Sequence, residues 1–192
     1  RHSVVMPTAT PPEHRVPAWA CWGAYISSVA VAGLLIGPLD TYFPTRGDLL
    51  KGLALDAAAT TVVYAWSLCS GNSSVYDPYW CVAPLLLAFY WKARAPGGFF
   101  FYEPRETLCI VLLWIWAVRF FALVPWEGWA RGLRHEDWRY AQIRAGMPSD
   151  TAYWAFSFSS LHLTPTLLVY GALCPAGRVI LQGTAAPPLT PW

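Results

Sequence analysis

One long apolar segment carries a stripe of polar residues at helical spacing. The stripe consists of Asp56, Thr60, Tyr64 and Ser67. Gaps of four, four and three residues place its members on one face of a helix. A carboxylate among hydroxyl groups could orient a polar group of a substrate or relay a proton. The same groups could instead clasp a neighbouring helix by hydrogen bonds, and both interpretations stay open at this point.

A second polar stripe lies nearer the end of the sequence. Its members are Ser159, His162, Thr166 and Tyr170, with gaps of three, four and four residues. His162 suits general acid or base catalysis near neutral pH, and it equally suits a hydrogen bond to a neighbouring helix. Two such stripes predict a helix bundle with a polar seam. The candidate catalytic residues in this seam are Asp56, Tyr64 and His162.

The elements that carry these stripes are predicted to be membrane helices. Of the 192 residues, 56% are hydrophobic and only 12% are charged, about half the charge of a soluble domain. A charge at mid-membrane costs roughly 2.5 to 3.5 kcal/mol, and pairing lowers that cost. Arg119, which lies within another apolar run, is therefore assigned to the seam together with Asp56. The net charge of +2 is too small for nucleic-acid binding, and the five cysteines lack metal-ligand spacing.

Five segments approach the length of about 20 residues that a membrane-spanning helix needs. They are residues 16–39, 49–69, 79–91, 107–126 and 153–174. The charged segment 127–150 is predicted to include an interfacial helix. The fold class is therefore an all-α transmembrane bundle of about five helices. We expect an extended arm over residues 1–15, a helical domain over 16–175 and an extended tail over 176–192.

Two longer motifs are more specific than this general membrane pattern. They are NSSVYDPYWCVAP at residues 72–84 and RHEDWRYAQIR at residues 134–144. Both resemble the DUF1295 family, membrane proteins similar to steroid 5-alpha-reductases, and the resemblance runs from about residue 45 to residue 175. Within it, Asp56 lies where the family often has an acidic residue. The motif residues that carry the resemblance are Asn72, Tyr76, Asp77, Pro78, Trp80, Glu136, Asp137, Arg139 and Tyr140.

The resemblance implies a larger helix bundle that binds NADPH and reduces a carbon-carbon double bond in a lipid such as a sterol or an enone. In the family the amino-terminal helices form the lipid cavity. The carboxy-terminal helices hold the cofactor through a segment resembling His-Pro-Asn-Tyr followed by Gly-Glu, and this sequence has no such segment. The loop from Arg131 to Arg144 could contact a phosphate, although Glu136 and Asp137 could equally pair with its arginines.

We therefore predict a non-catalytic accessory subunit of a larger membrane complex, built on a reductase-like scaffold that holds lipid. One alternative is an NADPH-dependent lipid reductase whose second half comes from elsewhere, and another is a lipid-binding module without chemistry. No cofactor is expected apart from NADPH under the reductase alternative, while a bound phospholipid or sterol is possible. The expected partners are the bilayer and other membrane subunits. The basic residues among positions 1–15 favour the mitochondrial inner membrane, with the endoplasmic reticulum as the alternative.

Overall fold

The computed structural model describes residues 15–100, 103–123 and 131–185. The predicted arm, up to residue 14, lies outside this description. The first two helices are α1 (Ala18–Tyr42) and α2 (Asp48–Ser70). They form an antiparallel hairpin that is fixed at both ends. Trp66 donates a hydrogen bond to the Ser27 hydroxyl (3.0 Å) at one end, and Lys51 pairs with Asp40 (2.8 Å) at the other.

The chain then passes through shorter elements. A 3-10 turn (Ser73–Tyr76) leads into α3 (Asp77–Trp80) and α4 (Ala83–Arg94). The predicted third span, residues 79–91, is thus wrong as a single helix, because the chain breaks at residues 81–82 between α3 and α4. Pro84 enters the first turn of α4, where a missing N–H costs nothing. With twelve residues, α4 is about 18 Å long and cannot cross a 30 Å hydrocarbon core alone.

The second half of the chain begins with α5 (Pro104–Leu123), whose length matches the predicted fourth span. The interfacial helix predicted in segment 127–150 is α6 (Trp138–Ala145). One long helix follows, made of α7 (Asp150–Phe156), a wider π-helical segment (Ser157–Leu163) and α8 (Thr164–Gln182). Residues 176–182, predicted as extended tail, are instead the end of α8. Their Ile180 is fully buried, so packing holds these turns in place.

Three of the described helices are long and apolar enough to cross a membrane. They are Ala18–Tyr42, Asp48–Ser70 and Asp150–Ala185. Two hydrophobic clusters hold the bundle together. One joins α1 and α2 to the turn through Tyr25, Val63 and Val75, and the other joins α4 to α8 through Trp91 and Ile180. The fold is all-α and helical, as the composition predicts.

Candidate functional site

A cavity of about 610 Å³ lies between α1, α2 and α4. Its walls are mostly aliphatic and aromatic, and they include Val29, Ile36, Leu55, Leu86 and Phe89. Leu55 is buried, whereas Val29 and Phe89 are more than 40% exposed at the rim. In a bilayer this rim faces the hydrocarbon, so a lipid could enter the cavity sideways without crossing water.

Two polar side chains meet in the wall of the cavity. The Tyr79 hydroxyl donates to Asp56 Oδ1 at 3.2 Å, and both residues are buried. Asp56 lies in the middle of α2, while the short helix α3 brings Tyr79 against it. Because the Tyr79 hydroxyl has a single proton, donation to a carbonyl oxygen in the cavity requires that Asp56 be protonated and donate in turn to the Tyr79 oxygen. The pair is therefore suited to binding and polarising a carbonyl group.

The far end of the cavity is charged. Asp40, near the end of α1, pairs with Lys51 of α2 and with Arg94 of α4. The Tyr90 hydroxyl donates to Asp48 (3.4 Å) nearby. These ion pairs tie α4 to the α1 and α2 hairpin at this end of the cavity.

The two predicted stripes do face each other across the bundle, in two groups. In the first, the Thr60 and Thr166 hydroxyls are 2.8 Å apart, and the Tyr76 hydroxyl is 2.7 Å from that of Thr166. This group joins α2, α8 and the turn. Tyr170 donates to the backbone carbonyl of Leu49, so its hydroxyl also ties α8 to α2.

The second group surrounds His162, which is fully buried. Its Nε2 is 3.1 Å from the Ser67 hydroxyl, and its Nδ1 is 2.9 Å from the Ser157 carbonyl oxygen. Tyr64 lies edge-on to the imidazole and donates to the Trp154 carbonyl at 3.0 Å. Since the described partners occupy both imidazole nitrogens, the geometry is that of an interhelical clasp.

Two residues assigned to the seam lie outside it. Arg119 is on the exposed face of α5 and does not pair with Asp56. Ser159 is also exposed, and its hydroxyl bonds the carbonyls of its own turn. Ser159 faces outward because it lies in the π-helical segment, in which residues five apart share a face. Ser157 therefore takes the inward position five residues before His162, which a count at three-and-four spacing misses.

The two family-like motifs, residues 72–84 and 134–144, contact each other through hydrogen bonds. Glu136 Oε1 accepts from the Ser73 backbone N–H (2.8 Å), the Tyr153 hydroxyl (3.2 Å) and Arg144 (3.1 Å). Asn72 caps the turn by accepting from the Ser74 N–H. Pro78 is buried in the first turn of α3, and Trp80 packs against the aromatic rings of α5.

A second contact between the motifs joins Tyr140 to Asp77. The Tyr140 hydroxyl donates to Asp77 Oδ1 at 2.8 Å. Burial raises the pKa of Asp77 to about 6, although the hydrogen bonds from Tyr140 and Ser74 oppose the shift. Burial also raises the pKa of Tyr140. Asp77 thus titrates nearer to neutral pH than an exposed aspartate does.

Asp137 has the opposite electrostatics. It caps α6 by accepting from the Arg139 N–H (2.8 Å) and also holds the Arg139 guanidinium through both carboxylate oxygens. These bonds lower the pKa of Asp137. Motif residues 134–144 therefore use two of their arginines, Arg139 and Arg144, in internal ion pairs.

Sequence reasoning missed four polar residues of this region. They are Ser73, Tyr79, Tyr153 and Ser157. The Ser73 hydroxyl is 2.7 Å from that of Tyr153 and 2.9 Å from that of Ser157, so it links the turn to the long helix. Ser73 and Tyr79 lie in the first motif, and Tyr153 and Ser157 lie in the long helix, but none falls in a stripe with a fixed spacing. The partnership of Tyr79 with Asp56 depends on the break between α3 and α4, which no spacing rule indicates.

The described residues provide no cluster of three or more metal-ligating side chains. A family model described as "Protein of unknown function (DUF1295)" matches residues 63–192, more than half of the chain. No curated protein matches the sequence significantly. No solved structure matches it either.

Proposed function

Because the chain belongs to the DUF1295 family of membrane proteins, we propose that it binds a carbonyl-bearing lipid in the cavity between α1, α2 and α4. In this proposal the chain is the substrate-binding part of a reductase-like scaffold. The observation that carries the proposal is the Tyr79 and Asp56 pair, a buried hydrogen-bonded pair in a mostly apolar wall.

The size and walls of the cavity favour a compact, rigid lipid. A cavity of about 610 Å³ is within the range of small-molecule sites and suits a fused-ring or short isoprenoid body. Such sites combine apolar walls with few, well-placed polar groups. A sterol-like enone would place its rings against Leu55 and Leu87 and its carbonyl oxygen at the Tyr79 hydroxyl.

Tyr79 and Asp56 would have distinct roles. Tyr79 donates to the carbonyl oxygen and withdraws electron density from the conjugated double bond, which becomes easier to reduce. In the bound state Asp56 is protonated and donates to the Tyr79 oxygen across the 3.2 Å contact, which leaves the single Tyr79 proton for the carbonyl oxygen. The apolar walls exclude water, and this strengthens the hydrogen bond to the substrate.

NADPH, the hydride donor of the reductase alternative, has no phosphate site among the arginines of the lipid cavity and of α6. Arg94, Arg139 and Arg144 each pair with a carboxylate of this chain. The sequence also lacks a glycine-rich phosphate loop. We therefore derive no step through this cofactor, and reduction would need a hydride donor held outside the described residues.

The test compares the binding of a 3-keto-4-ene steroid with that of its analogue lacking the 3-keto oxygen. We expect Tyr79→Phe to weaken binding of the ketone by about tenfold, the value of one buried hydrogen bond, and to leave binding of the deoxy analogue unchanged. Tyr90→Phe is the matched control, because Tyr90 lines the same cavity but bonds Asp48 at the far end. Equal losses in the two variants would contradict the proposal.

The accessory-subunit prediction is the second candidate. It is supported by the ion pairs of Arg139 with Asp137 and of Arg144 with Glu136. These pairs favour a structural role for the two arginines over phosphate binding. Under this candidate the protein co-migrates with larger membrane subunits and gains no thermal stability from NADPH. A rise in melting temperature with NADPH would contradict it. The mitochondrial inner membrane stays the predicted location.

A further inference from the structure

A second, basic cleft lies where the segment before α1 meets the segment before α6. Its volume is about 510 Å³. It is lined by Arg15, Val16, Pro17, Arg131, Leu133 and Arg134. Three of these six residues are arginines, and none is acidic. The cleft is therefore strongly positive, whereas the lipid cavity is mostly apolar.

The cleft has a fixed backbone. Val16 and Leu133 form an antiparallel bridge with N–O distances of 3.0 and 2.8 Å, and both side chains are buried. Gly132 has φ +70°, and a Cβ atom there would overlap the Val16 carbonyl oxygen. The close approach of the two segments thus needs glycine at this position. As a result, Arg15 and Arg134 are held next to the bridged residues, on the two adjoining segments.

The three arginines of the cleft differ from the arginines of this structure that form ion pairs. Arg15, Arg131 and Arg134 are exposed, and within the described chain none forms a salt bridge. By contrast, Arg139 and Arg144, close by in sequence, are held by Asp137 and Glu136. Guanidinium groups stay charged at any physiological pH and bind phosphate oxygens in a bidentate manner.

The residues around the cleft indicate a position at headgroup level in a bilayer. It adjoins the first turn of α1, where Trp19 is 72% and Trp22 is 44% exposed, as in the aromatic belts found at headgroup level. One turn further, Ile26 is 63% exposed and offers an apolar path for an acyl chain. The Asp40 and Arg94 end of the lipid cavity lies at the opposite end of α1, about 35 Å away along the helix axis.

From these observations we propose that Arg15, Arg131 and Arg134 bind the phosphate headgroup of an anionic phospholipid. The lipid would sit with its phosphate among the three guanidinium groups and its acyl chains along the exposed face of α1. This site is independent of the cavity proposed above for a carbonyl-bearing lipid, because the two sites share no lining residue.

Native mass spectrometry of the full chain tests the proposal. The protein is equilibrated with equal amounts of phosphatidylglycerol and phosphatidylcholine that carry identical acyl chains. We expect retention of phosphatidylglycerol in preference to phosphatidylcholine. Each arginine removed should lower that preference by about fivefold, so the double variant Arg131→Gln/Arg134→Gln should lose nearly all of it. Arg15→Gln alone should lower the preference for phosphatidylglycerol by about fivefold.

The matched control is Arg46→Gln/Arg178→Gln, which removes the same charge from two exposed positions away from the cleft. This control should keep the preference, and an equal loss in both double variants would overturn the proposal as a mere net-charge effect. Displacement of the lipid by millimolar inorganic phosphate or by NADPH would also overturn it, because the cleft would then be a site for a soluble phosphate. Folding of each variant is checked by its thermal unfolding in the same detergent.

Discussion

The buried polar residues of this protein lie in two different environments. Asp56 is paired with a tyrosine in the wall of a cavity, whereas His162 is enclosed by hydrogen bonds to Ser67 and to its own helix. Both are ionisable residues inside an apolar bundle, yet only Asp56 lines the cavity. This difference is the reason for proposing Asp56 and Tyr79, rather than His162, as ligand-binding residues.

Asp77 is predicted to make stability depend on pH. Its folded pKa of about 6 exceeds the ordinary value for aspartate because burial disfavours the charged form. Stability from this group is therefore complete below about pH 4 and is lost as pH rises through 6. Asp77→Asn keeps an acceptor for Tyr140 and removes this dependence. Between pH 4 and pH 7 the unfolding free energy of the variant should rise relative to that of the wild type by up to about 3 kcal/mol. Thermal unfolding curves at each pH measure this difference.

Asp137 titrates in the opposite sense but is present in both proteins, so the difference between them isolates Asp77. A constant difference in melting temperature between pH 4 and pH 7 would contradict this prediction.

Gly132 is predicted to be far less tolerant of alanine than Gly146. At Gly132 the backbone is left-handed and a Cβ atom would lie 2.6 Å from the Ala18 nitrogen. Gly132→Ala should thus lower the unfolding free energy by more than about 1 kcal/mol. Gly146 has φ −88° and room for a Cβ atom at ordinary contact distance, so Gly146→Ala should be neutral or slightly stabilising. Thermal unfolding in detergent measures both, and equal effects would contradict the prediction.

At the scale of elements, the long helix Asp150–Gln182 shows how a local irregularity aligns the polar seam. The π-helical segment holds one residue more than an α-helix would. It thereby keeps Ser157 and His162 on one face and leaves Ser159 outside. Thr164 stabilises the segment by donating to the Ser159 carbonyl at 2.8 Å, and Pro165 follows in the first turn of α8, where its missing N–H is tolerated.

Changing the length of this segment by one residue should have asymmetric effects. Deletion of Ser159 converts the segment towards a regular α-helix and keeps His162 facing Ser67, so the protein should fold with a modest loss of thermal stability. Insertion of one alanine after Ser159 rotates α8 by about 100° and moves Thr166 away from Thr60. We expect the insertion to lower the melting temperature much more than the deletion. The reverse order would contradict the assigned role of the π-helical segment.

The sequence predicts the elements with a regular period far better than the irregular ones. Spacing in α2 correctly places Asp56, Thr60 and Ser67 on a buried face, because a straight helix follows its period. It fails at α3, where the third span divides, and in the π-helical segment, where the period changes. Tyr79 belongs to the first of these regions and Ser157 to the second, so the partners of Asp56 and His162 could not be read from spacing alone.

At the scale of the whole molecule, the hairpin of α1 and α2 separates two charged ends. One end contains the loop at residues 43–47 and the Asp40 ion pairs. The other contains the turn after α2, helix α6 and the basic cleft. Glu136 and Arg144 join the turn to the α6 region through hydrogen bonds with Ser73 and Gly71. A bilayer around the apolar helices should therefore leave these two ends on opposite sides.

Labelling with a membrane-impermeant maleimide tests this arrangement. In a background with the five native cysteines replaced, Thr45→Cys and Ala145→Cys each place one thiol at an exposed position. In sealed, uniformly oriented vesicles, only one of the two should react from outside, and the other should react only after permeabilisation. Reaction of both from the same side would contradict the arrangement.

We propose above that Tyr79 donates a hydrogen bond to the carbonyl of a lipid bound beside Asp56. Isotope-edited infrared spectroscopy of a 3-keto-4-ene steroid with a ¹³C-labelled carbonyl, bound to the full chain, tests it most directly. The account predicts a carbonyl stretch shifted to lower frequency than in hydrocarbon solvent, with the shift lost in Tyr79→Phe and kept in Tyr90→Phe. A bound carbonyl with the same frequency in the wild type and in Tyr79→Phe would contradict it.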